Sequence, residues 1–293
     1  MCIRDRDISS GEYYTGRLYT PDDFAKGVIS QGNPDDKYAT FRIVLPLEKG
    51  VTYGLSGETA TYAQQVYIDG KLLSEVGKVS DNAEEFVPAT DRYTLYFTAQ
   101  ADTAEIIIRH AWFNHRTGTI QKLCPAKAPL ISANERAQTV CDGLIAGTLL
   151  AMAIFFFGMF LLGNRKRSMM WFSLSCLTAA LHYLIYESKQ IGVLFPYLDW
   201  YTEHKLEYIT NILYFVFILL YAFAALGLRP HKRFVVTSVC SAGAILLFYI
   251  FAPSTVYTHF TVVAGAVMAV YLILSSVSVS YTHLRAHETV LDL

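Results

Sequence analysis

Charge is scarce in this chain. Of its 293 residues, 17% are Asp, Glu, Lys or Arg, against roughly 25% in an ordinary soluble domain. The formal net charge is only −1, while 53% of the residues are hydrophobic and mean hydropathy is +0.30. A disordered tail, a collagen-like repeat and a basic nucleic-acid binder are all excluded, because none is this apolar and this neutral. Signature motifs are missing too. The sequence contains no GxxxxGKS/T, GxGxxG, GxSxG, HExxH or paired CxxC, so no catalytic residue, metal site or cofactor is expected. Cysteine is sparse, with five in all. Cys176 and Cys240 fall in apolar runs and read as packing residues. Whether Cys124 and Cys141 pair is left open by the sequence.

What is present divides at residue 142. Residues 7–142 carry 13 Lys and Arg against 18 Asp and Glu, and residues 143–278 carry 8 against 4. In the second part the charges cluster between five long apolar runs: 143–163, 168–187, 207–228, 234–252 and 260–278. About 20 helical residues at 1.5 Å each cross a hydrocarbon layer of about 30 Å. Five transmembrane helices are therefore expected, with the lipid bilayer as the first partner. Arg165, Lys166 and Arg167 lie between runs one and two, and Arg229, Lys232 and Arg233 between runs three and four. Basic loops stay on the cytoplasmic side, so residues 7–142 are expected outside the cell.

The outer part reads as β-structure. In Thr40–Leu47 the residues Phe41, Ile43, Leu45 and Leu47 share one face, and in Tyr93–Thr98 so do Tyr93, Leu95 and Phe97. Asp69-Gly70 stands between two apolar stretches as a type I′ hairpin signal. Short strands at this spacing predict an antiparallel β-sandwich of jelly-roll type over 7–130. The expected fold class is thus β plus membrane α, an extracellular antiparallel β-sandwich followed by a transmembrane bundle. A linker over 131–142 joins the two. Within it, Ser132 with Glu135 three positions on reads as a capping box opening a helix.

Both ends read as non-native. Met1–Arg6 is what ATG TGT ATA AGA GAC AGN encodes, the end of a transposase adapter used in sequencing libraries. Val279–Thr289, VSYTHLRAHET, is the opposite strand of the same adapter. Residues 1–6 and 279–293 are therefore expected to be artefacts. The i, i+4 pair His283 and His287 is expected to bind no physiological metal. A fragment of about Asp7–Ser278 also accounts for the lack of a visible signal peptide.

Two constellations are candidate ligand sites. Trp112, Asn114, His115 and Arg116 follow the last outer strand, where an aromatic beside hydrogen-bonding groups suits a sugar or another small polar ligand. The other reading is a strand end whose polar side chains cap backbone groups or face water. The second set is His182, Glu187, Glu207 and Asn211, in the outer leaflet. Polar groups at that depth are costly and usually face the bundle interior or a water-filled cavity. Helix–helix hydrogen bonding is the other reading. Tyr197, Trp200 and Tyr201 read as interfacial anchors.

Several strings resemble those of the bacterial seven-transmembrane receptors with diverse intracellular signalling modules. Glu12–Phe24 (EYYTGRLYTPDDF) looks like that family's tyrosine-rich entry strand and turn, and Tyr38–Arg42 (YATFR) like its next strand. Val66–Lys71 (VYIDGK) is similar to its hairpin. Glu105–Ile108 with Phe113–Arg116 is similar to its last strand, although Gly118-Thr119 replaces a double glycine. Gly143–Arg167 resembles the first membrane helix. The resemblance implies a multi-pass receptor of the bacterial plasma membrane that binds a small extracellular ligand, carbohydrate among the candidates. It also implies relay through seven helices, singly or as a homodimer, to a histidine kinase, diguanylate cyclase or phosphatase output. The rival reading is a transporter or membrane-embedded enzyme with an appended β-domain. No internal repeat or mid-span break supports that reading.

Overall fold

The computed structural model describes residues 11–27, 29, 36–114, 124–163, 165–225 and 232–291. Contacts divide the chain into two compact units, Met1–Val140 and Cys141–Leu293. The class is the expected one, a β unit followed by helices.

The β unit holds β1 (Gly11–Thr15), a short helix α1 (Pro21–Ala25), β2 (Tyr38–Pro46), β3 (Thr52–Ile68), β4 (Lys71–Val76), β5 (Ala89–Thr98), β6 (Thr103–Ala111) and β7 (Cys124–Lys127). Every pairing is antiparallel. The strand order is β1-β2-β6-β3-β4, with β5 and β7 also on β3. One strand reaches both sets because β3 is 17 residues long. Its first part pairs with β5 and β7, and Ala63–Ile68 pairs with β6. The register slips between Thr59 and Tyr62, where a bulge bends the strand. A single sheet thereby curls over its own core. Ile43, Leu45, Leu55, Val66, Ile68, Tyr93, Ile106 and Ile108 fill it, with Phe41, Leu47, Leu95 and Phe97 packed around them. These are the faces that the alternation predicts. Full burial of a side chain such as Val66 or Ile106 is worth about 1.5–3 kcal/mol. Asp69 and Gly70 take φ values of 48° and 80°, the left-handed geometry of a type I′ turn.

β7 runs straight into α2 (Ala128–Leu162), a helix of 35 residues. The capping box at Ser132 is not formed. The helix starts four residues earlier, and Ser132 Oγ donates to the Pro129 carbonyl. Pairing of β7 with β3 holds the chain through Lys127, and Pro129 suits a first helical turn, where no N–H is needed. In this first turn Ile131 is buried against Gly54, where a β-carbon would come within 2.9 Å of it. Tyr96 Oη also donates a 2.8 Å bond to Glu135.

The helical unit continues with α3 (Arg167–His182), a π-helical turn (Tyr183–Glu187), α4 (Ile191–Leu194), α5 (Trp200–Ala225), α6 (Lys232–Phe251) and α7 (Ser254–Leu291). Three spans are long and apolar enough to cross a membrane: Ala128–Leu162, Arg167–Glu187 and Trp200–Ala225. Val236–Phe251 and Val256–Tyr271 are shorter apolar helices among the described residues. Pro253 sits between α6 and α7, where its missing N–H breaks no helical ladder. Ile212, Ala242, Tyr249, Tyr257, Ala264 and Met268 form the core shared by α5, α6 and α7.

Candidate functional site

The constellation after β6 is partly described. Trp112 is 6% exposed, packed with Ala39 and Tyr62, and its N–H donates to the Lys37 carbonyl. It is a core side chain and not an open stacking platform. β6 ends at Ala111. Asn114 follows in a turn, half-buried, with a buried amide nitrogen that has no partner. His115 and Arg116 lie outside the described residues.

The second constellation is brought together at three of its four positions. His182 closes α3, and the π-helical turn begins at the next residue. In that turn the Ser188 N–H reaches back to the Tyr183 carbonyl at 2.9 Å, the i→i+5 bond that marks a π-bulge and often a functional position. His182 Nδ1 donates to the Glu207 carbonyl at 3.2 Å and lies 3.3 Å from Thr210 Oγ1. Asn211 Nδ2 lies 3.5 Å from His182 Nε2. A carbonyl only accepts, so Nδ1 carries the ring proton and Nε2 is left as an acceptor facing Asn211. Tyr186 stacks on the imidazole at 5.6 Å. Glu187 is exposed at the end of the turn.

Glu207 does not open its helix, as the apolar run implied. α5 starts at Trp200, seven residues earlier. Asp199 caps it, accepting bonds from the Thr202 N–H at 3.0 Å and Thr202 Oγ1 at 2.6 Å. Those bonds, from the hydroxyl first, hold the Asp199 carboxyl below its usual pKa. The extra two turns carry residues that the run boundaries left out. Glu203 and His204 are 8% and 5% exposed. His204 Nδ1 lies 3.3 Å from Glu207 Oε2, and its ring stacks on Trp200 at 4.8 Å. Tyr208 meets that ring edge-on at 5.1 Å, and Tyr257 approaches it at 5.8 Å. Trp200 is therefore buried inside the cluster, and not a membrane anchor, while Tyr197 is fully exposed. The spacings 200–204–208 and 203–207 are both i, i+4 and would have marked one helix face.

The arrangement is one of acids, imidazoles and aromatic rings in close contact. Among the described residues no group of three or more His, Cys, Asp or Glu is placed to hold a metal. A cavity deeper between α5, α6 and α7, lined by Phe215, Leu219, Phe223, Ala242 and Met268, has about 20 Å³ of free space, room for little more than a single water. Cys141 is a free, exposed thiol, and the Cys124 side chain lies outside the described residues.

Comparison with solved structures finds slight likenesses. A candidate β-galactosidase from Bacteroides fragilis matches at 12% identity and a TM-score of 0.25, over 37% of this chain and 18% of that one. A β-glucosidase from Kluyveromyces marxianus matches at 13% identity and 0.22, over 39% and 14%. An α-xylosidase from Xanthomonas citri matches at 17% identity and 0.21, over 36% and 11%. The chain thus spans less than a fifth of each, and likenesses this slight carry no argument about activity. No curated protein matches. A family profile does, over residues 138–288, which cover α2 from its third turn through most of α7 and overlap the adapter-like segment from residue 279. That span is just over half of the chain, and it places the protein in the 7TM diverse intracellular signalling family.

Proposed function

We propose that the chain is the sensor and membrane portion of a receptor of the bacterial plasma membrane. Its β unit faces outside, and the basic loops at Arg165–Arg167 and Arg229–Arg233 face the cytoplasm. The β unit binds a small polar ligand, carbohydrate being the favoured class, through Asn114, His115 and Arg116, which follow β6 in the sequence. The helices relay occupancy to a cytoplasmic output domain. The family match over 138–288 carries this reading, since its members share a membrane bundle and differ in the signalling module. Control by ligand requires unequal affinity for two packings of the receptor.

The test is hydrogen exchange on the chain in lipid nanodiscs, with and without a panel of mono- and oligosaccharides. Protection that rises near residues 109–116 for one sugar, and disappears in Asn114→Ala and Arg116→Ala, supports the reading. Protection confined to the helices, or none across the panel, rejects carbohydrate recognition by this turn.

A further inference from the structure

We propose that the outer face of the β unit carries an anion-binding site built on Arg109, and that this site takes a small carboxylate ligand, acidic sugars included. The inference goes beyond the sugar site proposed after β6 and does not rest on it.

The face follows from the register. Side chains alternate along β6, so Ile106 and Ile108 enter the core while Glu105, Ile107 and Arg109 take the other face. β6 lies between β2 and β3, and Arg109 pairs with Thr40 on one side and Gln65 on the other. A second arginine shares this face. Arg42 stands on β2 opposite Ile107, and its charge is compensated. Its Nε donates to Glu105 at 2.6 Å and its Nη1 to Glu12 at 3.1 Å, and the guanidinium lies 5.6 Å from the centre of the Phe24 ring. Arg109 has no such partner. Its Nη1 donates to the neutral Gln65 Oε1 at 2.8 Å, its Nε is buried and unpaired, and no carboxylate among the described residues forms an ion pair with it. The nearby acids are already engaged. Arg42 holds Glu12 and Glu105, and Glu75 accepts from Gln65 Nε2 at 2.7 Å. Tyr67 Oη donates to the same Gln65 oxygen at 3.2 Å. The Gln65 amide is thus fixed by three bonds, and it fixes the guanidinium in turn.

An arginine stays charged in a protein, and a sheltered charge with unmet donors is costly. This one is sheltered. Thr40 and Ile107 beside it are buried, Thr40 under the chain that leads into α1, whose Tyr19 N–H donates to its hydroxyl at 2.9 Å. Arg109 itself is only partly exposed. With the stem flanked by two strands and Nε buried, the open part of the side chain is its Nη end. A planar carboxylate meets that end through two parallel N–H···O bonds and supplies the missing charge. One guanidinium matches one carboxylate. A phosphate dianion would set excess negative charge beside Glu75 and Glu105, so the carboxylate is the better fit. In so sheltered a place the pair is screened less than one on an open surface.

The experiment is saturation-transfer NMR on the full chain in nanodiscs of zwitterionic lipid, with empty nanodiscs as the blank. The probes are galacturonate, glucuronate and succinate, and galactose is the neutral control. At least one carboxylate is expected to bind, and excess galactose not to displace it. Arg109→Gln should weaken that binding tenfold or more. Gln65→Glu should do the same while keeping the arginine, because it gives the guanidinium a carboxylate of its own. Hydrogen exchange of the β6 amides checks the fold of each variant. No carboxylate signal above the blank overturns the proposal. So does binding that Gln65→Glu leaves unmoved, a comparison that decides the matter even if Arg109→Gln fails to fold. Galactose bound in place of the acids also overturns it, and leaves the sugar site after β6 standing.

Discussion

Tyr183 Oη donates a 2.7 Å hydrogen bond to Asp142 Oδ1, tying the π-helical turn to α2 across 41 positions of sequence. Asp142 is 8% exposed, and a carboxylate in such a place needs donors. The π turn supplies one, because its extra residue rotates Tyr183 relative to the helix before it. Tyr183→Phe is expected to lower the stability of the helical unit by about 1 kcal/mol, and Asp142→Asn by less, since an amide oxygen still accepts. Unfolding in mixed detergent micelles measures both. Equal stability of Tyr183→Phe and wild type would show that the bond contributes nothing.

Gly54 is the point where the sheet receives the first turn of α2. A β-carbon there would meet the Ile131 side chain at 2.9 Å, so Gly54→Ala is expected to cost about 1–3 kcal/mol through overpacking. Ile131→Ala in the same chain should recover part of that loss by making room. Hydrogen exchange of the β3 and β7 amides reads the effect, and absence of any rescue would mean the clash is relieved some other way.

His110 lies at the centre of the β unit between Tyr62 at 4.7 Å and Trp112 at 5.4 Å, and neither of its ring nitrogens has a partner. Burial pushes its pKa down from 6.5 to about 3. An unfolded chain takes up the proton near pH 6.5 while the folded one refuses it, so stability is complete above 6.5 and falls as the pH drops toward 3. The slope is at most about 1.4 kcal/mol per pH unit. Exchange of the β6 amides between pH 7 and pH 4 should reveal the loss, and His110→Phe should flatten it. A wild-type curve no steeper than that of His110→Phe would contradict this.

Membrane orientation has its own test. Six of the eight Lys and Arg between residues 143 and 278 stand in two loops, and such loops remain in the cytoplasm. A single cysteine placed at Asp199 should react with an impermeant thiol reagent on intact cells, and one placed at Asn164 should not. The reverse pattern would invert the topology.

Strand faces were legible in advance because alternation is a local property. Phe41, Ile43, Leu45 and Leu47 lie two apart and meet one core whichever strands are their neighbours. The Asp69-Gly70 turn was legible for the same reason, since both φ values are demanded by two adjacent residues. The candidate site was half legible. His182, Glu207 and Asn211 stand out as polar groups in apolar runs, and they do converge. Glu203 and His204 were hidden, because a run is cut where charges begin and α5 starts beyond that cut. Trp112 misled, as an aromatic beside polar residues looks the same in sequence whether it faces a ligand or the core.

The division into a β part and long apolar helices, and the alternation of the strand faces, follow from the sequence alone, because hydrophobic transfer free energy adds residue by residue along the chain. The tertiary structure alone decided that β3 serves both parts of the sheet, that α2 begins directly after the last residue of a paired strand, and that His204 meets Tyr257. Each depends on how an element is rotated and where it starts. Those choices are made by the partner that buries it, Ile131 against Gly54 or Trp200 against His204, and no local spacing encodes which partner that is.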